Sequence, residues 1–239
     1  MGATAVLVLA GQPGQAATPA AQVCPQVVPA AELGRVTRLR AQGRTVRVVV
    51  LGSSSTAGAG ASRPELGYVA QLAHLLRGAW GADAVTVFNR GVGGDTLTQE
   101  LARRERDVYA LSPDLVIVQT GMNDVLQNAS RIRFERDLHS FLKELRGRGL
   151  DVLLVNVQYV ERLKFSPSYH LMREIIQAVG RFNHVGVLSR YDLTRALIRQ
   201  TGASPASLSA SDGLHPNDLM HWCTAQALSQ TIIQGSAGR

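Results

Sequence analysis

TVRVVVLGSSSTAG, residues Thr45–Gly58, decides the fold class. Its first half is a short β-branched run closed by glycine, the pattern of a strand buried on both faces. Its second half is a serine- and glycine-rich turn of the kind that follows a strand. From Thr45 onward, apolar runs alternate with segments of helical periodicity. Tyr68 to Trp80 places Val69, Leu72, Leu75 and Leu76 at helical spacing, and AVTVFN (Ala84–Asn89) reads as a second strand. A charged helix is expected from about Thr96 to Ala110, and then DLVIVQT (Asp114–Thr120) as a third, nearly all-apolar strand. A helix from Ile132 to Arg148 leads to DVLLVNVQ as a fourth strand. A helix from Leu171 to Val179 precedes the weaker run HVGVLS, and Leu219 to Ile233 closes the chain as a helix. Strands separated by helices imply a parallel sheet covered on both faces, hence one α/β domain without internal repeat.

The chain has 239 residues, enough for such a domain to build its core without a metal or disulfide staple. Hydrophobic residues make up 45%, and no apolar run reaches the roughly 18 residues needed to span a bilayer, so stable membrane insertion is not expected. The formal charge of +7, carried almost wholly by arginine, raises a nucleic-acid reading. The arginines alternate with acids (Arg103, Arg104, Glu105, Arg106, Asp107), and aromatics are few. That is a solvated helix face, and no nucleic-acid partner is expected, although the field still favours acidic polymers or surfaces.

Residues 1–40 differ from the rest. AVLVLAG (Ala5–Gly11) followed by GQPGQAATPAAQ resembles a secretory leader without its basic opening. The expected division is a signal peptide and N-terminal arm over 1–40 and the catalytic domain over 41–239, in the periplasm or secreted, with the cytoplasm as alternative. The two cysteines, Cys24 and Cys223, read as unrelated buried thiols in a cytosolic protein and as an intramolecular bridge in an exported one.

Four strings carry chemistry. GSSSTAG ends the first strand and FNRGVGGDT the second; QTGMND ends the third, and SDGLHPND lies near the C-terminus. Open α/β sheets present functional residues at the carboxyl ends of their strands. The serine turn lacks the lysine of a phosphate-binding GxxxxGK[ST] loop, which counts against nucleotide binding. The glycines of the second string fit a backbone that approaches a ligand closely, or an ordinary turn with Asp95 as N-cap of the next helix. Asn123 can offer an uncharged donor. Asp212, three residues before His215 on a Gly-Pro turn, can bond the ring and leave its other nitrogen free as a base. The remaining histidines show no metal spacing, so no cofactor or metal is expected.

Together these strings resemble the sequence blocks of the SGNH/GDSL hydrolase superfamily over about Val46 to Ala227. The resemblance implies a flavodoxin-like three-layer α/β/α sandwich with a central parallel sheet. It implies Ser54 as nucleophile, Asp212 and His215 as its partners, and an oxyanion hole formed by Ser54, Gly94 and Asn123. It further implies a serine esterase acting through an acyl-enzyme on a small-molecule or polysaccharide ester, including O-acetyl or short-acyl groups on carbohydrate. Lysophospholipase or thioesterase activity, or a silent carbohydrate-binding protein of the same fold, are the alternatives. Ser53 stands where the family commonly has Asp, so the register among Ser53, Ser54 and Ser55 rests on spacing from Gly52 to Thr56. QYVERLKFSPSYH (Gln158–His170) breaks the strand–helix alternation and is the candidate substrate loop, or else a variable connection.

Overall fold

The computed structural model describes residues 24–237; the leader-like stretch before Cys24 lies outside them. In chain order the elements are α1 (Gly34–Ala41), β1 (Val46–Gly52), α2 (Ser54–Ala57), α3 (Tyr68–Trp80), β2 (Val85–Gly91), α4 (Leu97–Ala102), α5 (Arg104–Asp107), β3 (Leu115–Gln119), α6 (Met122–Leu126), α7 (Arg131–Gly147), β4 (Asp151–Val155), α8 (Pro167–Phe182), β5 (Gly186–Leu188), α9 (Arg190–Thr201) and α10 (Asp218–Gly235). Five parallel strands form one sheet in the order β2-β1-β3-β4-β5. This is the expected three-layer architecture, with the flavodoxin strand order.

The period-2 alternation of each strand divides the core. Val46, Val48 and Val50 of β1 join Ile117 of β3 and Leu153 of β4 beneath α1, α3 and α10. Val49 and Leu51 join Val116, Val118 and Leu154 beneath α4, α7 and α8. Neighbouring residues on one strand thus feed opposite cores, which is why β1 and β3 read as unbroken apolar runs.

The chain leaves β1 for β2 on one side and returns to β3 on the other, so the topological switch lies between β1 and β3. At their carboxyl ends Gly52 pairs with both Gly91 and Gln119, which brings the ends of three strands to one level.

Several elements differ from expectation. The helix expected over Thr96–Ala110 is broken into α4, α5 and a 3₁₀ turn at Tyr109–Leu111. The break falls at Arg103, which turns inward to four oxygen partners. Asp95 is not the N-cap: Thr96 is, in a capping box with Gln99. The helices α1, α6 and α9 are additional to those that the periodicity predicts. α9 starts at Ser189, whose hydroxyl accepts from Asp192 N–H at 3.2 Å, and ends at Gly202. α1 is held by Asp151, whose carboxylate accepts Val36 N–H at 2.8 Å and Arg35 N–H at 3.3 Å. The fourth strand stops at Val155, and α8 begins at Pro167, earlier than Leu171.

A disulfide joins Cys24 to Cys223 of α10, with Cα atoms 5.3 Å apart. It sits in a third apolar cluster with Leu193, Leu197, Leu208 and Met220, and so fastens the N-terminal arm to α9 and α10. Among the described residues, no helix is long and apolar enough to cross a membrane.

Candidate active site

Ser54 opens α2 directly after β1. Ser53 and Ser55 on either side are buried, whereas Ser54 is half-buried and faces the crevice. The turn is braced from beneath. Gln119 Oε1, at the end of β3, accepts from Ser53 N–H at 3.2 Å and Thr56 Oγ1 at 2.9 Å, and Thr56 Oγ1 lies 2.7 Å from Tyr68 Oη. Asn89 Nδ2 donates to Thr56 O at 2.8 Å. Gly52 has to be glycine at this junction, because a Cβ there would lie 2.3 Å from Thr56 Oγ1. As the first residue of a helix, Ser54 has no intrahelical acceptor for its N–H.

Gly94 lies in the loop between β2 and α4 with φ +84°. That loop is clamped to α6. Asn123 Nδ2 donates to Asp95 O at 2.8 Å, and Gln127 Nε2 donates to Gly94 O at 3.1 Å. One amide hydrogen of Asn123 is thereby used and the other remains to be offered. Behind the loop, Arg103 donates to Gly52 O and Arg90 O, each at 2.9 Å. It also pairs with Asp95 at 2.7 Å and Asp107 at 2.8 Å. Asp124 of the third string points away from the crevice, to Leu97 N–H at 3.2 Å, and burial lifts its carboxyl to about 6.

Asp212 and His215 stand on a turn closed by an antiparallel bridge between Ser209 and Pro216. Asp212 Oδ1 accepts Leu214 N–H at 2.8 Å and His215 N–H at 2.9 Å, while Oδ2 lies 2.5 Å from His215 Nδ1. Across the crevice His215 Nε2 lies 2.8 Å from Ser54 Oγ. Partial burial raises the Asp212 carboxyl, but the hydrogen bonds from the His215 ring and the two N–H groups outweigh it and hold it at about 2. A carboxylate ionised at neutral pH accepts only, so Nδ1 carries the proton and Nε2 is free to accept from Ser54. Of the five residues singled out in the sequence, Ser54 on the strand-end wall is thus joined to Asp212 and His215 on the turn wall, while Asn123 is bonded to Asp95 O, next to Gly94, in the loop after β2.

The His215 wall is held by contacts that had no signature in the sequence. Gln158 Nε2 donates to Leu214 O at 3.1 Å. Asp218 accepts Ser62 N–H at 2.7 Å and Ser62 Oγ–H at 2.6 Å. His221 accepts Tyr68 N–H at Nδ1 (3.1 Å) and donates from Nε2 to Ala59 O (3.0 Å). Burial, the largest influence on His221, drives its pKa down to about 4, so it is a neutral strut. Gly60, at φ +93°, lies so close that a Cβ would meet His215 Cβ at 2.8 Å. Of the candidate substrate loop, Gln158, Tyr159 and Val160 are buried supports, and residues from Pro167 on belong to α8. The short stretch between them is largely exposed, with Phe165 at 86%. Among the described residues, no cluster of His, Cys, Asp and Glu could hold a metal ion.

The profile of the non-GDSL lipase-like family matches residues 20–238. Among curated proteins, an acetylxylan esterase of Geobacillus stearothermophilus is 29% identical over 80% of this chain and 95% of its own length. Esterase TesA of Pseudomonas aeruginosa is 28% identical over 74% of this chain and 83% of its own. Among solved structures, a two-domain esterase active on acetylated mannans superposes with a TM-score of 0.73 at 23% identity, over 88% of this chain. The chain spans 55% of that two-domain protein.

Proposed function

The chain belongs to the non-GDSL lipase-like family and is a hydrolase of ester bonds; from that premise we propose that it is a serine esterase that removes acetyl groups from carbohydrate. The observation that carries the mechanism is the continuous hydrogen-bonded line Asp212–His215–Ser54, at 2.5 and 2.8 Å. His215 Nε2 takes the Ser54 hydroxyl proton as Oγ attacks the acetyl carbonyl. Ser54 N–H, Gly94 N–H and Asn123 Nδ2 receive the negative charge that develops on the carbonyl oxygen; one such donor is typically worth about 3 to 4 kcal/mol. Collapse expels the sugar hydroxyl, which takes the proton from His215 and leaves an acetyl-Ser54. Water then attacks with His215 again as base, acetate departs and Ser54 regains its proton. Asp212, ionised throughout, stabilises the imidazolium formed in each half-reaction.

The substrate reading is supported by the relatives that act on acetylated xylan and acetylated mannan. The disulfide supports export to an oxidising compartment, with the stretch before Cys24 as leader. The test is acetate release from acetylated xylan and mannan beside p-nitrophenyl esters of increasing chain length. Turnover is expected to favour acetyl and to fall about 10⁴-fold or more in Ser54→Ala. Undiminished turnover in Ser54→Ala overturns the mechanism. A preference for long acyl chains overturns the substrate class and moves the protein to lysophospholipid or acyl-thioester chemistry.

A further inference from the structure

Gln158 lies just past β4 in a segment, Asn156–Val160, whose every residue is buried. Both ends of its side-chain amide are engaged. Nε2 donates to Leu214 O at 3.1 Å, and Oε1 accepts from Arg190 Nη2 at 2.8 Å. Arg190 Nε also donates to Asn156 O at 2.9 Å, so one guanidinium grips the segment at two points. The Gln158 carbonyl accepts Tyr169 Oη–H at 2.5 Å.

An amide side chain can be reversed end for end with almost no change of shape. A guanidinium can only donate. Arg190 therefore dictates which end of Gln158 faces it, the oxygen, and so which end faces Leu214 O, the N–H. The carbonyl of Leu214 and the N–H of His215 belong to the same peptide unit. Gln158 holds that unit by its carbonyl and Asp212 by its N–H. With Nδ1 also fixed on Asp212, the ring is left one setting, the one in which Nε2 lies 2.8 Å from Ser54 Oγ.

As an element of stability alone Arg190 is poorly placed. It is 2% exposed, and its Nη1 finds no hydrogen-bond acceptor among the described residues. Burial lowers its pKa to about 10, which leaves it a cation at neutral pH, and the titratable groups that face it are the phenols of Tyr68 and Tyr169, kept protonated by burial, and the neutral imidazole of His221, rather than a carboxylate. An apolar side chain of similar volume would fill the space without desolvating a charge, at the cost only of the donors to Asn156 O and Gln158 Oε1. What the guanidinium supplies is orientation. It lies beside a small cavity lined also by Gln158, Thr194, Leu214 and His215.

We propose that Gln158 and Arg190 are positioning residues for His215, with Arg190 acting through Gln158; the inference rests on the reading of His215 as the base. Gln158→Glu is the sharpest probe. Glutamate has the same length and gives Arg190 a carboxylate, but it presents no N–H to Leu214 O. The expected result is a fall of about tenfold in kcat on p-nitrophenyl acetate and in the rate of fluorophosphonate labelling at Ser54, because a small misplacement of a catalytic group is enough for such a loss. KM should stay unchanged and Tm should not fall. In the same variant the downfield proton resonance of His215 Nδ1–H should move. Arg190→Lys, which keeps the cation but cannot grip two acceptors in the same fork, should fall between parent and Gln158→Glu in labelling rate. Labelling and kcat within twofold of the parent in Gln158→Glu overturn the proposal. So does a joint shift of kcat, KM and Tm in both variants, which marks general damage to packing. If Ser54→Ala keeps its turnover, the underlying triad reading has failed. If Ser54→Ala is inactive and Gln158→Glu fully active, only the positioning role has failed.

Discussion

Ser54 and Asn123 leave the ends of two adjacent central strands, β1 and β3, whereas Asp212 and His215 stand on a turn that belongs to no strand of the sheet. Each wall has an arginine behind it, Arg190 buried and Arg103 partly buried, and the two are bonded in different ways. Arg103, behind the nucleophile wall, is paired with Asp95 and Asp107 and ties the ends of β1 and β2 through Gly52 O and Arg90 O. Arg190, behind the histidine wall, has only neutral acceptors. One wall is positioned by the sheet and a neutralised ion cluster. The other is positioned by single long-range hydrogen bonds, Gln158 to Leu214 and Ser62 to Asp218 among them. A parallel sheet fixes what lies at its strand ends; a turn outside it has to be fixed bond by bond.

The largest break in this contrast should come from Arg103→Met. It leaves the Asp95 carboxylate without its cation, whereas Asp107 keeps Arg106, and removing one partner of such a largely buried pair costs about 3 kcal/mol. Arg190→Met leaves only Asn156 O and Gln158 Oε1 without their donor and should cost about 1–3 kcal/mol. Urea unfolding of both variants measures the difference, and equal losses would erase the distinction between the walls. Next in size is the disulfide, which serves the histidine wall through α10. Cys24→Ser with Cys223→Ser should lower stability by about 2–4 kcal/mol. Because the bond lies in the α9–α10 cluster and touches neither wall directly, kcat of the folded variant should match the parent.

The smallest net effect is a pH dependence at His221, because Asp124 opposes it. Its pKa in the folded protein, about 4, lies below the ordinary 6.5. The unfolded chain therefore takes up the proton first. Stability from this group is complete above about pH 6.5 and is lost as the pH falls toward 4. Asp124, lifted by burial to about 6, works in the opposite sense over the same range, because the folded state binds its proton first. Comparison with His221→Gln separates the two: between pH 7.5 and 4.5 the parent's urea midpoint should fall by more than the variant's.

The sheet and the four strings were legible because their signals are local. A β-branched run predicts a buried strand, and a glycine-rich string after it predicts a turn at its carboxyl end. Such rules locate the strings without any long-range information, and the resemblance to the SGNH/GDSL superfamily singles out Ser54, Gly94 and Asn123 within them. The Asp212-x-x-His215 spacing is equally local, since both residues share one turn. The supports were not legible, because each joins residues far apart in the chain: Gln158 to Leu214, Gln119 to Thr56, His221 to Tyr68. Nothing near Arg103 shows that it will turn inward and break a helix; that follows from Gly52 O, Arg90 O and two carboxylates meeting in space. α9 was a different case. Ser189 and Gly202 mark its ends, but Arg190, Asp192, Arg195 and Arg199 thin its apolar stripe to a few residues, and the periodicity did not stand out. The string at Gln158 stops alternating and so reads as a loop, yet the cause is a buried polar segment tied to Arg190 and Leu214.

The bond between Cys24 and Cys223 spans 199 residues of sequence in a chain that has no third cysteine. As the chain is synthesised or threaded through a membrane, Cys24 emerges first and waits for its partner until α10 has followed. Until then an oxidant can join it only to another molecule. No mispaired intramolecular isomer exists, so oxidation has a binary outcome in each molecule. The closed bond marks a chain whose arm and last helix have met, and a chain truncated before α10 can never acquire it.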